Sequence, residues 1–294
     1  MALLRQRSIV FDGTVKLHEL PFIEVEHGDI LAKTVFVYVG QIERNIMNHN
    51  ITPPGRIILG ASGVVKAIET SGSNTSVAGR YITISPLSRH GILAYNVNGL
   101  LADYVSVKPE YVFEESLNAN PYTAVKPFIA HGIELGVESE GVTLIVGCNI
   151  TAFSTALFTG RSNGEPILYC RDSTRLAQYL GLNIVSHVSN IPSRINTLVL
   201  TEPGAHIYYR LLKELTPQKI VISPLSFTTW IPINNRLEKT VITYKNTIRN
   251  TNPGATDSIL HELSRFVKII EIGDIEKTIG LLPPKELGSI IVLK

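Results

Sequence analysis

Apolar and β-branched residues in the first third of the chain gather into short runs, at 30–39, 63–68, 80–85 and 101–107. Turn chemistry separates them, as in Thr52-Pro53-Pro54-Gly55 and Ser71-Gly72-Ser73-Asn74, so this part predicts short strands forming a barrel or sandwich. After Asn118 the rhythm changes. Residues 121–135 carry apolar side chains at helical spacing, and an apolar strand at 142–146 follows. Next come a helix-compatible stretch, a strand at 166–170 and a helix at 174–180. Strand signals continue at 197–200 and 219–222, with a helix at 207–215 between them. This alternation predicts βαβ units and a parallel sheet. Beyond Arg249, residues 256–266 and 275–281 read as helical and 289–293 as a last strand. A lone final strand must pair with something already built. The expected partner is the N-terminal barrel, which makes the parallel domain an insertion. No internal repeat or low-complexity linker is present.

Composition bounds the class. With 44% hydrophobic and 18% charged residues, a chain of 294 residues buries a core as one large domain or two ordinary ones. Its 27 basic and 25 acidic residues are spread along the sequence, so no block of like charge points to nucleic acid or an anionic membrane. Two cysteines, Cys148 and Cys170, form no CxxC pair, which argues against a disulfide scaffold and for a reducing, cytoplasmic home. Charge interrupts the N-terminus before a signal-peptide core can form. The uncharged stretch 141–160 has the length of a membrane span, but Asn149 and several Thr and Ser residues break it where a strand would turn into a helix.

Several segments, in order, resemble a known family. The run Gly55-Arg56-Ile57-Ile58-Leu59-Gly60-Ala61-Ser62-Gly63-Val64-Val65, followed by Val77-Ala78-Gly79-Arg80-Tyr81-Ile82, is similar to the LGHE, G-V-V and G-D-R-V segments of the medium-chain dehydrogenases/reductases. Asn98-Gly99-Leu100-Leu101-Ala102-Asp103-Tyr104-Val105 resembles their G-G-F-A-E-Y-V strand. Residues 142–152 stand where the family carries its dinucleotide loop, 171–181 resemble the helix after the second strand, and 288–294 the closing G-K-V-V-L strand. The resemblance implies an α/β protein of two domains: a GroES-like β-barrel from residues 1–118 and 250–294, and an inserted Rossmann-type parallel α/β domain, 119–249, with a cleft where they meet.

The same resemblance locates the departures. The family's zinc ligands, which would polarise a substrate oxygen, correspond to Val39, Ala61 and Ser62, and none can replace a thiolate, imidazole or carboxylate. The stretch 86–97 lacks the four cysteines of the structural-zinc lobe. His49, His90, His131 and His187 stand alone in sequence, so no metal is expected. The dinucleotide loop reads Gly147-Cys148-Asn149-Ile150-Thr151-Ala152. Its first glycine is kept and Ala152 is common at the third position, but Asn149 puts a side chain where phosphates press against backbone. The helix start after it still offers free N–H groups and a positive dipole end. At the end of the second strand, Arg171 or Arg175 facing the adenosine would favour NADP, whereas Asp172 would favour NAD; NADP is the preferred expectation. An N-cap at Asp172 or Ser173 with solvated arginines is the structural alternative.

Without zinc, hydride transfer needs another proton donor or electrophile. Tyr38, Gln41, Ser62 and Lys126 lie at or beside positions that face the cleft in this family, and packing or surface exposure is the alternative for each. Segment 223–230 resembles the place where family members pair edge strands to dimerise, so a homo-oligomer, dimer or tetramer, is expected, with Trp230 buried there or anchoring a loop. Two functions follow. One is a zinc-independent oxidoreductase moving hydride between NAD(P)(H) and a small carbonyl, alcohol or quinone. The other is a non-catalytic protein of the same fold with a binding or assembly role.

Overall fold

A computed structural model describes residues 6–20, 23–72, 77–171, 174–227, 237, 239–285 and 287–293. They divide into two compact units, residues 1–127 with 264–294, and residues 128–263. The borders expected from the sequence lie at 118/119 and 249/250. The turn at Pro121–Val125 packs on strands of the first unit, and the helix at Pro253–Leu263 packs against a helix of the second, which puts both borders later in the chain.

In the first unit the short runs form β1 (Gln6–Phe11), β2 (Val15–Leu20), β3 (Ile30–Val39), α1 (Gln41–Met47), β4 (Ile57–Ile58) and β5 (Ser62–Thr70). They continue as β6 (Tyr81–Ile84), β7 (Leu87–Ser88), β8 (Gly91–Ile92), β9 (Tyr104–Val107) and β10 (Val112–Ser116). In the second unit α2 (Lys126–Val137), begun in the first, leads to β11 (Val142–Val146), α3 (Ile150–Arg161), β12 (Glu165–Tyr169), α4 (Thr174–Tyr179) and β13 (Asn183–Val185). β14 (Thr197–Leu200), α5 (Ala205–Glu214), β15 (Lys219–Ile222), β16 (Val241–Tyr244) and α6 (Pro253–Leu263) complete it. The chain then returns to the first unit with β17 (Lys268–Ile272) and β18 (Ser289–Leu293).

The returning strand lands inside the barrel unit. β18 lies between β17 and β3 in a sheet ordered β10-β6-β5-β3-β18-β17, with β9 also on β3, and it pairs Ile290 with Tyr38 and Ile291 with Val37. Its Ile290 and Ile291 are fully buried, so the last strand closes a core that began with β1. The run predicted as strand at 101–107 is strand only from Tyr104. Leu100 and Leu101 instead bond to the Gly60 and Leu59 carbonyls, and Gly60, at φ +90°, has no room for a Cβ beside Val37 and the Leu101 amide.

The second unit is a six-stranded sheet ordered β13-β12-β11-β14-β15-β16, parallel throughout. Leu144, Leu198 and Ile220 pack with Tyr208, Leu211 and Leu212 of α5. The alternating Ile145, Val199 and Val221 are buried as well, so both faces are covered, as near-continuous apolar runs require. The uncharged stretch 141–160 is β11 and α3, and among the described residues no helix is long and apolar enough to cross a membrane.

Candidate functional site

Strand order in the parallel sheet reverses between β11 and β14. In open α/β sheets the ligand crevice opens at such a point, beyond the carboxyl ends of the strands. The dinucleotide-type loop sits there. Gly147 ends β11 with its N–H donating to the Tyr169 carbonyl at 3.1 Å, and a Cβ on it would lie 2.1 Å from Thr201 Oγ1. Close approach to the end of β14 therefore demands glycine at this position.

Asn149 is where the sequence departs, and its side chain turns inward. Oδ1 accepts from the Ala152 N–H at 2.9 Å and so caps α3. Nδ2 donates to the Thr201 carbonyl at 3.3 Å and to Thr201 Oγ1 at 3.2 Å, while that hydroxyl donates to the Val146 carbonyl at 2.8 Å. The expected side-chain obstacle is thus also a tie across the point where strand order reverses. Ala152, at the third loop position, is fully buried in α3.

The two cysteines correct the sequence reading, for Cys148 and Cys170 form a disulfide with a Cα separation of 5.0 Å. Their distance in sequence hid a proximity that parallel pairing of β11 with β12 creates. The inference of a reducing compartment from unpaired cysteines loses its premise. At the neighbouring position, exposed Arg171 donates from Nη2 to the Tyr169 hydroxyl at 2.9 Å, with its guanidinium 5.8 Å from that ring's centroid. Arg175 is exposed on α4. Asp172 and Ser173 lie outside the described residues, as does Trp230.

Three of the four barrel candidates, Tyr38, Ser62 and Lys126, have separate partners. Tyr38 is buried, its hydroxyl donating to the Leu287 carbonyl, and burial raises its pKa. Ser62 is buried with Oγ 2.7 Å from the Ile84 carbonyl and 2.8 Å from that of Ala124. Lys126 pairs with Glu114 at 3.2 Å. Gln41, at the first turn of α1, is buried with neither amide atom hydrogen-bonded among the described residues. Tyr38 and Ser62 are register partners across β3 and β5, yet their hydroxyls bind different carbonyls.

Val39 and Ala61 are buried, and with Ser62 they offer no zinc donor set. Beside them the structure reveals a residue the sequence reading missed. Glu43 is buried in α1, accepting from Gly40 N–H at 2.8 Å, Ala61 N–H at 2.9 Å and Gly60 N–H at 3.1 Å. Burial pushes its pKa up against the opposing pull of those amides. A glutamate three residues into a helix start, as in a capping box, was the available signal.

Of the histidines, His49 and His187 are exposed and His90 lies 3.1 Å from Glu110. His131 is fully buried in α2, its Nε2 2.8 Å from Ser223 Oγ and its Nδ1 3.7 Å from Glu134 Oε2. Among the described residues no three His, Cys, Asp or Glu gather in a way that could hold a metal ion.

No protein-family model and no curated protein matches the sequence. Solved structures do match. Acetophenone reductase from Geotrichum candidum, in complex with NAD, is 11% identical with a TM-score of 0.73, covering 98% of this chain and 97% of that one. A thermostable alcohol dehydrogenase from Pyrobaculum aerophilum, with cobalt and zinc bound, is 14% identical at a TM-score of 0.71, covering 98% and 99%. A protein of Sinorhizobium meliloti, solved with NADP, is 16% identical at 0.72 over 98% and 99%. Likeness over nearly the full length of both chains, with a barrel unit built from both ends and an inserted parallel unit, establishes this chain as having the medium-chain alcohol dehydrogenase fold.

Proposed function

We propose that the chain is an oxidoreductase of this fold that works without catalytic zinc, moving hydride between NAD(P)(H) and a small carbonyl, alcohol or quinone. The observation that carries this reading is the loop from β11 to α3, with Gly147 held where only glycine fits at the reversal of strand order. Gly147, Asn149 and the start of α3 at Ile150 and Thr151 would hold the pyrophosphate, and Ala152 would keep helix and strand close. Arg171, steadied by Tyr169, and Arg175 are the groups for a 2′-phosphate, which favours NADP over NAD. The nicotinamide, when bound, supplies or accepts the hydride. The chain's own work is to bind, orient and exclude water. Among Tyr38, Gln41, Ser62 and Lys126, the buried Gln41 amide is the one available to meet a substrate oxygen.

A second reading, a non-catalytic binding or assembly protein, draws on the Asn149 side chain, which already occupies the Ala152 amide and bridges to Thr201. Calorimetric titration with NADPH and with NADH separates the two. Saturable binding in the micromolar range, tighter for Asn149→Gly, is expected. No heat from either cofactor with either protein at millimolar concentration, with and without a dithiol, refutes the oxidoreductase reading and leaves the second. A homo-oligomer is also part of the proposal: Val241, Ile242 and Tyr244 on β16 are 60%, 43% and 52% exposed at the last strand of the sheet order. A monomer by light scattering would remove it.

A further inference from the structure

The only two cysteines of the chain, 22 residues apart, meet at the carboxyl edge of the parallel sheet. Cys148 lies inside the loop between β11 and α3, and Cys170 directly follows β12. The loop is therefore tied on both flanks. On one side the disulfide holds it to the end of β12; on the other, Asn149 holds it to Thr201 at the end of β14. A pyrophosphate must press against this backbone, and with asparagine in place of the second glycine the loop has to recede to admit it. Hydrogen bonds exchange readily with a ligand or water, whereas a covalent tie does not. The flank that resists recession is the disulfide.

We infer that Cys148–Cys170 is a redox-responsive site that governs nucleotide entry, the oxidised chain keeping the loop closed and the dithiol chain admitting NAD(P). This rests on the nucleotide-binding reading above. The reductant is a dithiol. Its thiolate attacks Sγ of Cys148, the less buried of the two residues at 7% against 1% exposure, and Cys170 leaves as a thiolate. The second thiol of the reductant then releases Cys148 and closes its own disulfide. Two electrons pass from reductant to protein, and protons from solvent complete the two protein thiols.

The test combines alkylation and binding. Untreated protein, denatured and exposed to iodoacetamide, should take up no label, and protein reduced first should gain one adduct on each cysteine. NADPH titrated by calorimetry should bind the reduced protein at least about tenfold more tightly than the oxidised protein. The double variant Cys148→Ser, Cys170→Ser should match the reduced protein and ignore reductant. Equal affinity of oxidised and reduced protein overturns the inference while leaving nucleotide binding intact, as does labelling of both cysteines without reduction. Absence of binding in all three forms overturns the nucleotide reading and the inference with it.

Discussion

Glu43 concentrates the chemistry of the barrel unit in one side chain. Its carboxylate gathers the amides of Gly40, Gly60 and Ala61, joining the start of α1 to the segment before β5. Glu43→Gln keeps one acceptor oxygen and turns a donor toward an N–H, so a loss of about 1–3 kcal/mol is expected in urea denaturation. The pH dependence has a definite sign. With its folded-state pKa raised by burial, Glu43 keeps its proton to higher pH in the folded chain than in the unfolded one. The unfolded chain then deprotonates first, and stability falls as pH rises from the ordinary carboxylate range to the raised value. Glutamine does not titrate. The stability gap between wild type and variant should therefore narrow as pH rises, and a constant gap would contradict the assignment. Asn149 shows the limit of reading a residue by type: the sequence marks it as an intruder in a glycine position, while its partner Thr201 stands 52 residues away.

At the scale of elements, β11, α3 and β12 form a cross-linked unit. The disulfide closes a loop with a sequence separation of 22 residues, and opening it should cost about 3 kcal/mol through the freedom regained by the unfolded chain. Chemical denaturation with and without a dithiol measures this, and an unchanged midpoint would mean that the bond constrains nothing. The strands themselves were legible, because each is a compact apolar run and β11, β14 and β15 fall within a residue of the predicted spans. The strand expected at 101–107 was legible only in its second half. Leu100 and Leu101 are as apolar as a strand requires, but their amides go to the turn around Gly60, a choice made by a distant segment.

For the whole molecule, the decisive connection is the return of the C-terminus. Removing residues 288–294 deletes β18 from between β3 and β17 and takes the buried Ile290 and Ile291 out of the core. Two such side chains carry about 3–6 kcal/mol, a large share of the ~5–15 kcal/mol that stabilises a typical domain. The truncated chain should lose the cooperative unfolding of the barrel unit, seen by circular dichroism; a wild-type melting profile would show that β18 is dispensable. The parallel unit begins and ends within 128–263, so its own strands remain complete in that variant.

The sequence by itself determined the class of each half and the return of the last strand, since period and apolar run length reflect local burial that neighbouring residues share. It also marked the loop at 147–152 and the side-chain types of Val39, Ala61 and Ser62, because residue type is read directly along the chain. Only the tertiary structure decided what those residues touch. Cys148 meets Cys170, Asn149 meets Thr201, His131 meets Ser223 and Glu43 gathers amides from two segments. Each of these contacts depends on strand order and register, which pair residues far apart in the chain and leave no periodic trace in it.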